Sequence, residues 1–358
     1  MKGLILAGGL GTRLRPLTHT GPKQLIPIAN KPVLFYVIED LVEAGITDIG
    51  IIVGYTEERI NIVKNTVGDG SRWDAKITYI EQDAPRGIAH AVSCAREFMG
   101  DEPFVVYLGD NILKSGIGNF VNEFKNLGAE AGILLSPVPD PQKYGVAQLD
   151  DKGVVIDVKE KPKIPKSDLA LIGVYMFTPR IFKVIETLKP SWRGEYEITD
   201  AIRSIILSKK YKVISHIVTD WWDDTGTAEA ILHANHLILS DLKYKIEGAI
   251  EEGAKLIGNI ELGQDSIIKN GTVVRGPVII GKNCKIGPGY IGPYTSIGDN
   301  TTIIGGEVES SIIIGDTRIE FDKKIVDSLI GRYTSIVSKN SLPKGYRFII
   351  GENSEIQL

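Results

Sequence analysis

After about residue 255 of this 358-residue chain, Ile-Gly pairs recur at 257–258, 280–281, 286–287, 291–292, 297–298, 304–305, 314–315 and 330–331. Several follow one another at six residues, as from Ile280 to Ile286 and from Ile291 to Ile297. A six-residue period with one aliphatic position fits a left-handed parallel β-helix, whose triangular coils have three short sides. The aliphatic residue points inward, and glycine or asparagine takes the corner. The period is imperfect between Gly305 and Ile330, which predicts a distorted or interrupted turn there. Stacked coils of this kind often self-associate, so a homo-oligomer is expected.

Residues 1 to about 240 follow a different pattern. Strand-like runs at Leu4–Ala7, Ile49–Val53, Ile77–Ile80, Phe104–Leu108, Ala131–Val138, Gly173–Phe177 and Lys212–Ile217 alternate with helical patterns. The helical patterns include Pro32–Ala44, Glu57–Thr66, Ala89–Met99 and Ile117–Leu127. Such alternation predicts an α/β fold, a Rossmann-like and mostly parallel sheet with helices on both faces. Thr227–Lys245 reads as one helix at the boundary between the two patterns. Two domains are therefore expected, 1–240 and 241–358.

Ligands of such sheets sit at the carboxyl ends of strands. Leu4 to Ala7 opens into a loop holding Gly8, Gly9, Gly11, Thr12 and Arg13. Glycines let backbone N–H groups approach a phosphate, and Arg13 adds a planar fork of donors. Lys23, in Pro22-Lys23-Gln24-Leu25, supplies a second cation. The loop lacks the Gly-Lys-Ser/Thr ending of an ordinary ATPase loop. It also fails the dinucleotide fingerprint, because Leu14 stands where the last glycine belongs. The expected ligand is a nucleoside triphosphate or a sugar phosphate.

Composition narrows the classes further. Charged residues are 24% of the chain and the formal net charge is −4, with no basic stripe interleaved with aromatics. Nucleic acid is thereby excluded as a partner. No apolar run reaches membrane-spanning length, and the N-terminus lacks the layout of a signal peptide, so a cytoplasmic location is expected. Cys94 and Cys284 lie far apart and read as buried free thiols.

Five further segments carry chemistry. Asp110, in the Gly109-Asp110-Asn111 turn after Phe104–Leu108, suits Mg²⁺ or merely anchors its turn. Asp224, in Trp222-Asp223-Asp224-Thr225-Gly226, is a second metal candidate or the cap of the next helix. Glu160-Lys161-Pro162 offers a carboxylate for sugar hydroxyls and an ammonium for an anomeric phosphate, or is a solvated turn. Gln82 presents a donor and an acceptor that match a pyrimidine edge, or is a surface loop residue. The charged run Arg193–Asp200 reads either as salt-linked loop packing or as a sugar or subunit contact.

Taken together, the Gly8–Arg13 loop, Lys23-Gln24-Leu25, Gln82 with Gly87, Gly109-Asp110-Asn111, Tyr144-Gly145-Val146, Glu160-Lys161-Pro162, Arg193–Asp200 and Asp224-Thr225-Gly226 resemble the sugar-phosphate nucleotidyltransferases. The likeness is to the long-form glucose-1-phosphate thymidylyltransferases, which carry a C-terminal β-helix. Gly351-Glu352-Asn353-Ser354 also looks like the tail of that form. The resemblance implies dTTP and glucose 1-phosphate as substrates and Mg²⁺ as cofactor. It implies that Leu6, Gly8, Gly9, Gly11, Thr12, Arg13, Lys23, Gln82, Gly87 and Asp110 bind the nucleotide. Asn111, Tyr144, Gly145, Glu160, Lys161, Tyr175 and Arg193 would hold the sugar phosphate. Asp110 and Asp224 would hold the metal, and Arg13, Lys23 and Asp110 would be catalytic. Uracil and thymine share one hydrogen-bonding edge, so a UTP-using enzyme is the first rival. Acetyl transfer on the coil is disfavoured, because all five histidines (His19, His90, His216, His233 and His236) precede it. A non-catalytic sugar-nucleotide sensor would show degenerate carboxylates or lysines, and here Asp110, Asp224, Arg13, Lys23 and Lys161 are all present.

Overall fold

The computed structural model describes residues 1–54, 56–338 and 351–357. Its contacts divide the chain into two compact units. The first comprises Met1–Leu10, Gly21–Leu25 and Val33–Asp224; the second comprises Gly11–Thr20, Ile26–Pro32 and Thr225 onward.

The first unit holds strands β1 (Lys2–Leu6), β2 (Asp48–Val53), β3 (Lys76–Glu81), β4 (Phe104–Leu108), β5 (Asn111–Leu113), β6 (Ala131–Pro137), β7 (Gly145–Leu149), β8 (Val155–Glu160), β9 (Leu169–Phe177), β10 (Val213–Ile217) and β11 (Trp222–Asp224). Its main sheet runs β8-β7-β9-β4-β1-β2-β3, with β6 joining β9 to β10. β1 to β4 are parallel, and β9 turns the sheet antiparallel by pairing with β4, β6 and β7. Neighbouring residues of one strand face opposite sides. Ile5, Val105 and Tyr107 therefore enter one core with α1 (Val33–Glu43), α2 (Glu57–Val67) and α5 (Gly118–Leu127). Leu4, Phe104 and Val106 enter the other with α3 (Ile88–Cys94), α4 (Arg96–Met99), α6 (Arg180–Ile185) and α7 (Ile198–Ser208).

The expected helix Ala89–Met99 is broken at Ala95, which leaves helical geometry at φ −90° and ψ 5°. β8 lies where Val154–Val158 reads as strand-like, whereas its hairpin partner β7 and helix α7 have no counterpart among the expected elements. In α7, Ile198, Ala201, Ile202 and Ile205 are buried at helical spacing behind the charged run that precedes them.

In the second unit, α8 (Ala228–Ser240) starts at Thr227, whose side chain accepts from the Ala230 N–H. It ends at Ser240, short of the expected Lys245, which belongs to a strand. Division by contact therefore falls before α8 rather than at 240. Buried Asn235 of α8 explains the grouping: it accepts from Ala29 N–H at 2.9 Å and Ser296 Oγ at 2.6 Å, and donates to the Tyr294 carbonyl at 3.0 Å.

After α8, residues 245–337 form a left-handed parallel β-helix built from three parallel sheets. Leu262, Ile268, Val274, Ile280, Ile286, Ile291, Ile297, Ile303, Val308, Ile313 and Ile319 fill its interior. Each fully buried side chain of this kind contributes roughly 1.5–3 kcal/mol. Asn283 and Asn300 take left-handed corners at φ 54° and 58°. The expected interruption after Gly305 does not occur: ladders continue through Glu307–Glu309, Ile312–Ile313, Arg318–Glu320, Lys324–Val326 and Leu329–Ile330. Some sides are shorter by one residue, as from Ile303 to Val308 to Ile313, and inward Ile303 and Ile313 each precede an Ile-Gly pair rather than belong to it. Ile304 and Ile257, both in such pairs, are outward and exposed.

Both cysteines are free thiols, but only Cys284 is buried as expected while Cys94 is half-buried; desolvation raises the pKa of each. Among the described residues no helix is long and apolar enough to cross a membrane.

Candidate active site

β1 and β4 lie side by side with Leu6 opposite Leu108, so the glycine loop and the Gly109-Asp110-Asn111 turn leave the same end of the sheet. Gly109 donates its N–H to the Leu6 carbonyl at 3.0 Å, and a Cβ there would stand 3.0 Å from that oxygen. Gln82 follows β3 and donates its backbone N–H to the Val53 carbonyl at 3.2 Å. Its Oε1 lies 3.3 Å from where a Cβ on Gly8 would be. Lys23 Nζ pairs with Asp110 Oδ2, and its Cε would lie 3.7 Å from a Cβ on Gly9. Gly8, Gly9, Lys23, Gln82 and Asp110 thus converge at the carboxyl ends of β1 to β4, as elementary α/β topology requires.

A small open cleft lies there, lined by Ala7, Gly8, Gly9, Pro22, Gly54 and Arg59. Arg59 escaped the sequence reading. It is carried by α2 and donates to the Leu10 carbonyl at 3.3 Å. Only its position in the first turn of a helix after β2 hinted at this. Gly11, Thr12 and Arg13 group with the second unit. Gly11 is left-handed at φ 63°, its carbonyl accepts from Thr18 Oγ1 at 2.7 Å, and Arg13 is exposed in the short helical turn that follows.

The second carboxylate arrives through strand pairing. β5 and β11 are antiparallel, with Asn111 opposite Asp224. Asp224 is thereby set beside the turn that carries buried Asp110. It does not cap α8, whose cap is Thr227. Trp222 Nε1 donates to Asn111 Oδ1 at 2.7 Å, and Asn111 Nδ2 donates to Asp110 Oδ1 at 3.2 Å. Gly173, at φ 66°, lets β9 pass Asn111 closely; a Cβ there would sit 2.8 Å from Asn111 Oδ1. Asp110 and Asp224 offer only oxygen donors, the set that suits Mg²⁺, which draws its remaining ligands from water and phosphate.

A third group surrounds Glu160. Gly145 pairs with it across the β7–β8 hairpin, and a Cβ on Gly145 would lie 2.7 Å from Thr199 Cγ2 and 3.2 Å from Glu160 Oε2. Thr199 Oγ1 donates to Glu160 Oε2 at 3.2 Å. Arg193 Nη1 lies 3.5 Å from Oε1 of both Glu160 and Glu197, and its Nη2 lies 2.8 Å from Glu195. Burial, reinforced by the Glu197 charge, raises the Glu160 pKa. Lys161 takes a left-handed backbone at φ 39°, donates its N–H to the Tyr144 carbonyl at 3.0 Å and carries Nζ 4.0 Å from Glu160 Oε1. Tyr144 meets Trp222 edge-on at 5.8 Å, which links this group to Asn111 and Asp110. Tyr175 is buried in the core, stacked near Phe177, and burial followed by the Glu160 charge raises its pKa.

Gly87 sits at φ 99°, and a Cβ there would stand 2.6 Å from the Tyr196 carbonyl. The Tyr196 N–H donates to the Arg86 carbonyl at 2.8 Å, and Ala89 N–H donates back to the Tyr196 carbonyl at 3.1 Å. The charged run 193–200 is therefore laced to the Gln82–Gly87 turn, and it supplies Arg193 and Thr199 to the Glu160 group. Thr199 and Trp222 owe their roles to contacts that no local spacing announces.

The family profile described as nucleotidyl transferase matches residues 2–241. This chain belongs to that family. It is accordingly an enzyme of the nucleotidyltransferase type, and its residues 259–289 also match the bacterial transferase hexapeptide repeat. Among curated relatives, the low-salt glycan biosynthesis nucleotidyltransferase Agl11 of Haloferax volcanii is 51% identical, over 100% of both chains. The glucose-1-phosphate thymidylyltransferase of Streptomyces antibioticus is 46% identical, over 100% of this chain and 99% of its own. A crystallised chain from Bacillus anthracis, in complex with a sucrose, superposes with a TM-score of 0.63 at 38% identity, covering 69% of this chain and 98% of that one.

Proposed function

We propose that this nucleotidyltransferase joins glucose 1-phosphate to dTTP, forming dTDP-glucose and pyrophosphate. The observation that carries the reading is the convergence of Lys23, Asp110, Asn111 and Asp224 with a glycine loop at one end of the sheet, linked through Trp222 and Tyr144 to Glu160 and Lys161. The thymidylyltransferase relatives support the choice of base and sugar.

Both reactants are anions. Unit charges about 4 Å apart repel by roughly 4 kcal/mol at an effective dielectric near 20. Lys23 holds the triphosphate, and Lys161 holds the phosphate of the sugar. Gln82 and the Gly87 backbone read the base, while Glu160 and the Gly145 backbone hold sugar hydroxyls. Asp110 and Asp224 would hold Mg²⁺, which supplies further neutralisation of the triphosphate when bound. An oxygen of the sugar phosphate attacks the α-phosphorus, one P–O bond forms, and the bond to pyrophosphate breaks. That oxygen is already ionised, so no residue need remove a proton. Positioning and charge stabilisation carry the rate. A cytoplasmic setting fits the triphosphate substrate, and self-association through the catalytic unit and the coil follows from the same reading.

The test is pyrophosphate release with Mg²⁺ and glucose 1-phosphate, comparing dTTP, UTP, GTP, ATP and CTP. Release with dTTP supports the proposal. Release with UTP but not dTTP makes the chain a uridylyltransferase. Release with no nucleotide, from folded protein, refutes glucose 1-phosphate as substrate and turns attention to the sugar phosphates of glycan synthesis.

A further inference from the structure

The nucleotidyl-transfer reading uses Gln82 but not the two residues that hold it. Gln82 is buried, and its Nε2 lies 3.1 Å from His90 Nδ1. The other ring nitrogen of His90, Nε2, lies 3.2 Å from Asp83 Oδ1. Helix α3 begins after Gly87 and carries His90, which joins exposed Asp83 to buried Gln82.

We propose that Asp83 and His90 lock the Gln82 amide in one orientation, and that this lock makes the site select thymine or uracil over cytosine. The proposal rests on Gln82 reading the base. The argument is one of donors and acceptors. The exposed Asp83 carboxylate only accepts, so His90 Nε2 carries the proton. Neutral imidazole then has a bare lone pair on Nδ1, which requires a donor. Gln82 meets that requirement only with its NH₂ group. Its carbonyl oxygen must therefore face away from His90, and it does, lying beside Gly8. Burial favours the neutral imidazole, as does the Arg86 charge, while the Asp83 charge opposes them.

The locked amide offers the cleft an acceptor, Oε1, and one remaining N–H. Thymine and uracil present an N3–H donor next to a carbonyl acceptor, which complements that pair. Cytosine presents an N3 acceptor next to an amino donor, the reverse order. A glutamine free to turn over would read either pattern equally. Here, turning over would set Oε1 of buried Gln82 against the Nδ1 lone pair of half-buried His90, two acceptors facing each other without a proton between them, which is disfavoured. His90 and Asp83 are positioning residues, acting through Gln82. Cys94 Sγ also lies within 4.8 Å of the ligand-type atoms of Asp83 and His90, but both ring nitrogens already have the partners described.

The experiment measures kcat/KM for dTTP and for dCTP with glucose 1-phosphate, using the full chain and the variants His90→Leu, Asp83→Asn and Gln82→Leu. His90→Leu is expected to lower the dTTP-to-dCTP ratio by about tenfold or more, mainly through KM. Asp83 is exposed, so Asp83→Asn leaves the fold intact even where His90→Leu perturbs it. Its amide can donate as well as accept, so the imidazole is no longer held to one tautomer and the ratio falls in the same direction. Histidine ¹⁵N spectra give a readout without turnover: the proton on His90 sits on Nε2 in the parent chain and divides between both nitrogens in Asp83→Asn. An unchanged ratio in both relay variants, where Gln82→Leu does change it, overturns the lock while leaving Gln82 as the base reader. An unchanged dTTP KM and ratio in Gln82→Leu overturns the base reading and the lock with it. A parent protein with its His90 proton on Nδ1 also overturns the lock.

Discussion

Gly145→Ala tests how the hairpin and α7 build the proposed sugar site. The new Cβ would stand 2.7 Å from Thr199 Cγ2, against an ordinary carbon–carbon contact of about 3.5–4.0 Å. Neither side yields easily: Gly145 is held by pairing with Glu160, and Thr199 is buried in the first turn of α7. Relief requires a shift of about 1 Å, with an overpacking cost of roughly 1–3 kcal/mol. For a unit of this size that lowers the melting temperature by roughly 2–10 °C. The same shift opens the 3.2 Å bond from Thr199 to Glu160. The KM for glucose 1-phosphate should rise about tenfold while that for dTTP holds. Thr199→Ser removes the obstructing methyl and keeps the hydroxyl, so the Gly145→Ala/Thr199→Ser double variant should recover most of both losses. The assays are calorimetry and steady-state pyrophosphate release. A double variant as impaired as Gly145→Ala alone would refute the steric argument, and an unchanged sugar-phosphate KM in the single variant would remove this hairpin from the sugar site.

Asp110→Asn should lower kcat by about a hundredfold or more with circular dichroism unchanged; near-normal turnover with Mg²⁺ would remove Asp110 from the metal site. Lys161→Ala should raise the sugar-phosphate KM about tenfold with little change in the dTTP KM, and a flat result would leave Lys161 a solvated turn residue. Asn235→Ala strands the Ala29 N–H, Ser296 hydroxyl and Tyr294 carbonyl, so it should destabilise the second unit by about 2–4 kcal/mol in denaturant melts. Burial raises the pKa of both Glu160 and Glu197 above their ordinary value of 4.5, so the folded chain keeps protons that the unfolded chain has released. Their stabilising effect is full below that value and is lost as pH rises through the raised values. Glu197→Gln should flatten this loss of melting temperature as pH rises above 4.5, and an unaltered slope would count against a raised Glu197.

The features legible in the sequence are those carried by local periodicity and by backbone chemistry. An aliphatic residue near every sixth position suffices for the coil, because each short side of such a coil needs one inward side chain. It did not suffice for the shorter sides beyond Ile303, where the inward residue parts from the glycine beside it. The glycine loop after β1 and the carboxylate after β4 were readable as candidates, since each follows an apolar strand-like run and the ligands of such sheets sit at the carboxyl ends of strands. Tertiary structure decided the rest. Asp224 stands beside Asn111 only because β5 and β11 pair across more than a hundred residues of chain. Thr199 and Arg193 reach Glu160 only because α7 packs behind the hairpin. The amide of Gln82 has a direction only because His90 and Asp83 dictate one. A side chain's type is written in the sequence, whereas its partners depend on residues far along the chain that folding brings within about 3 Å, where hydrogen bonds and charges act.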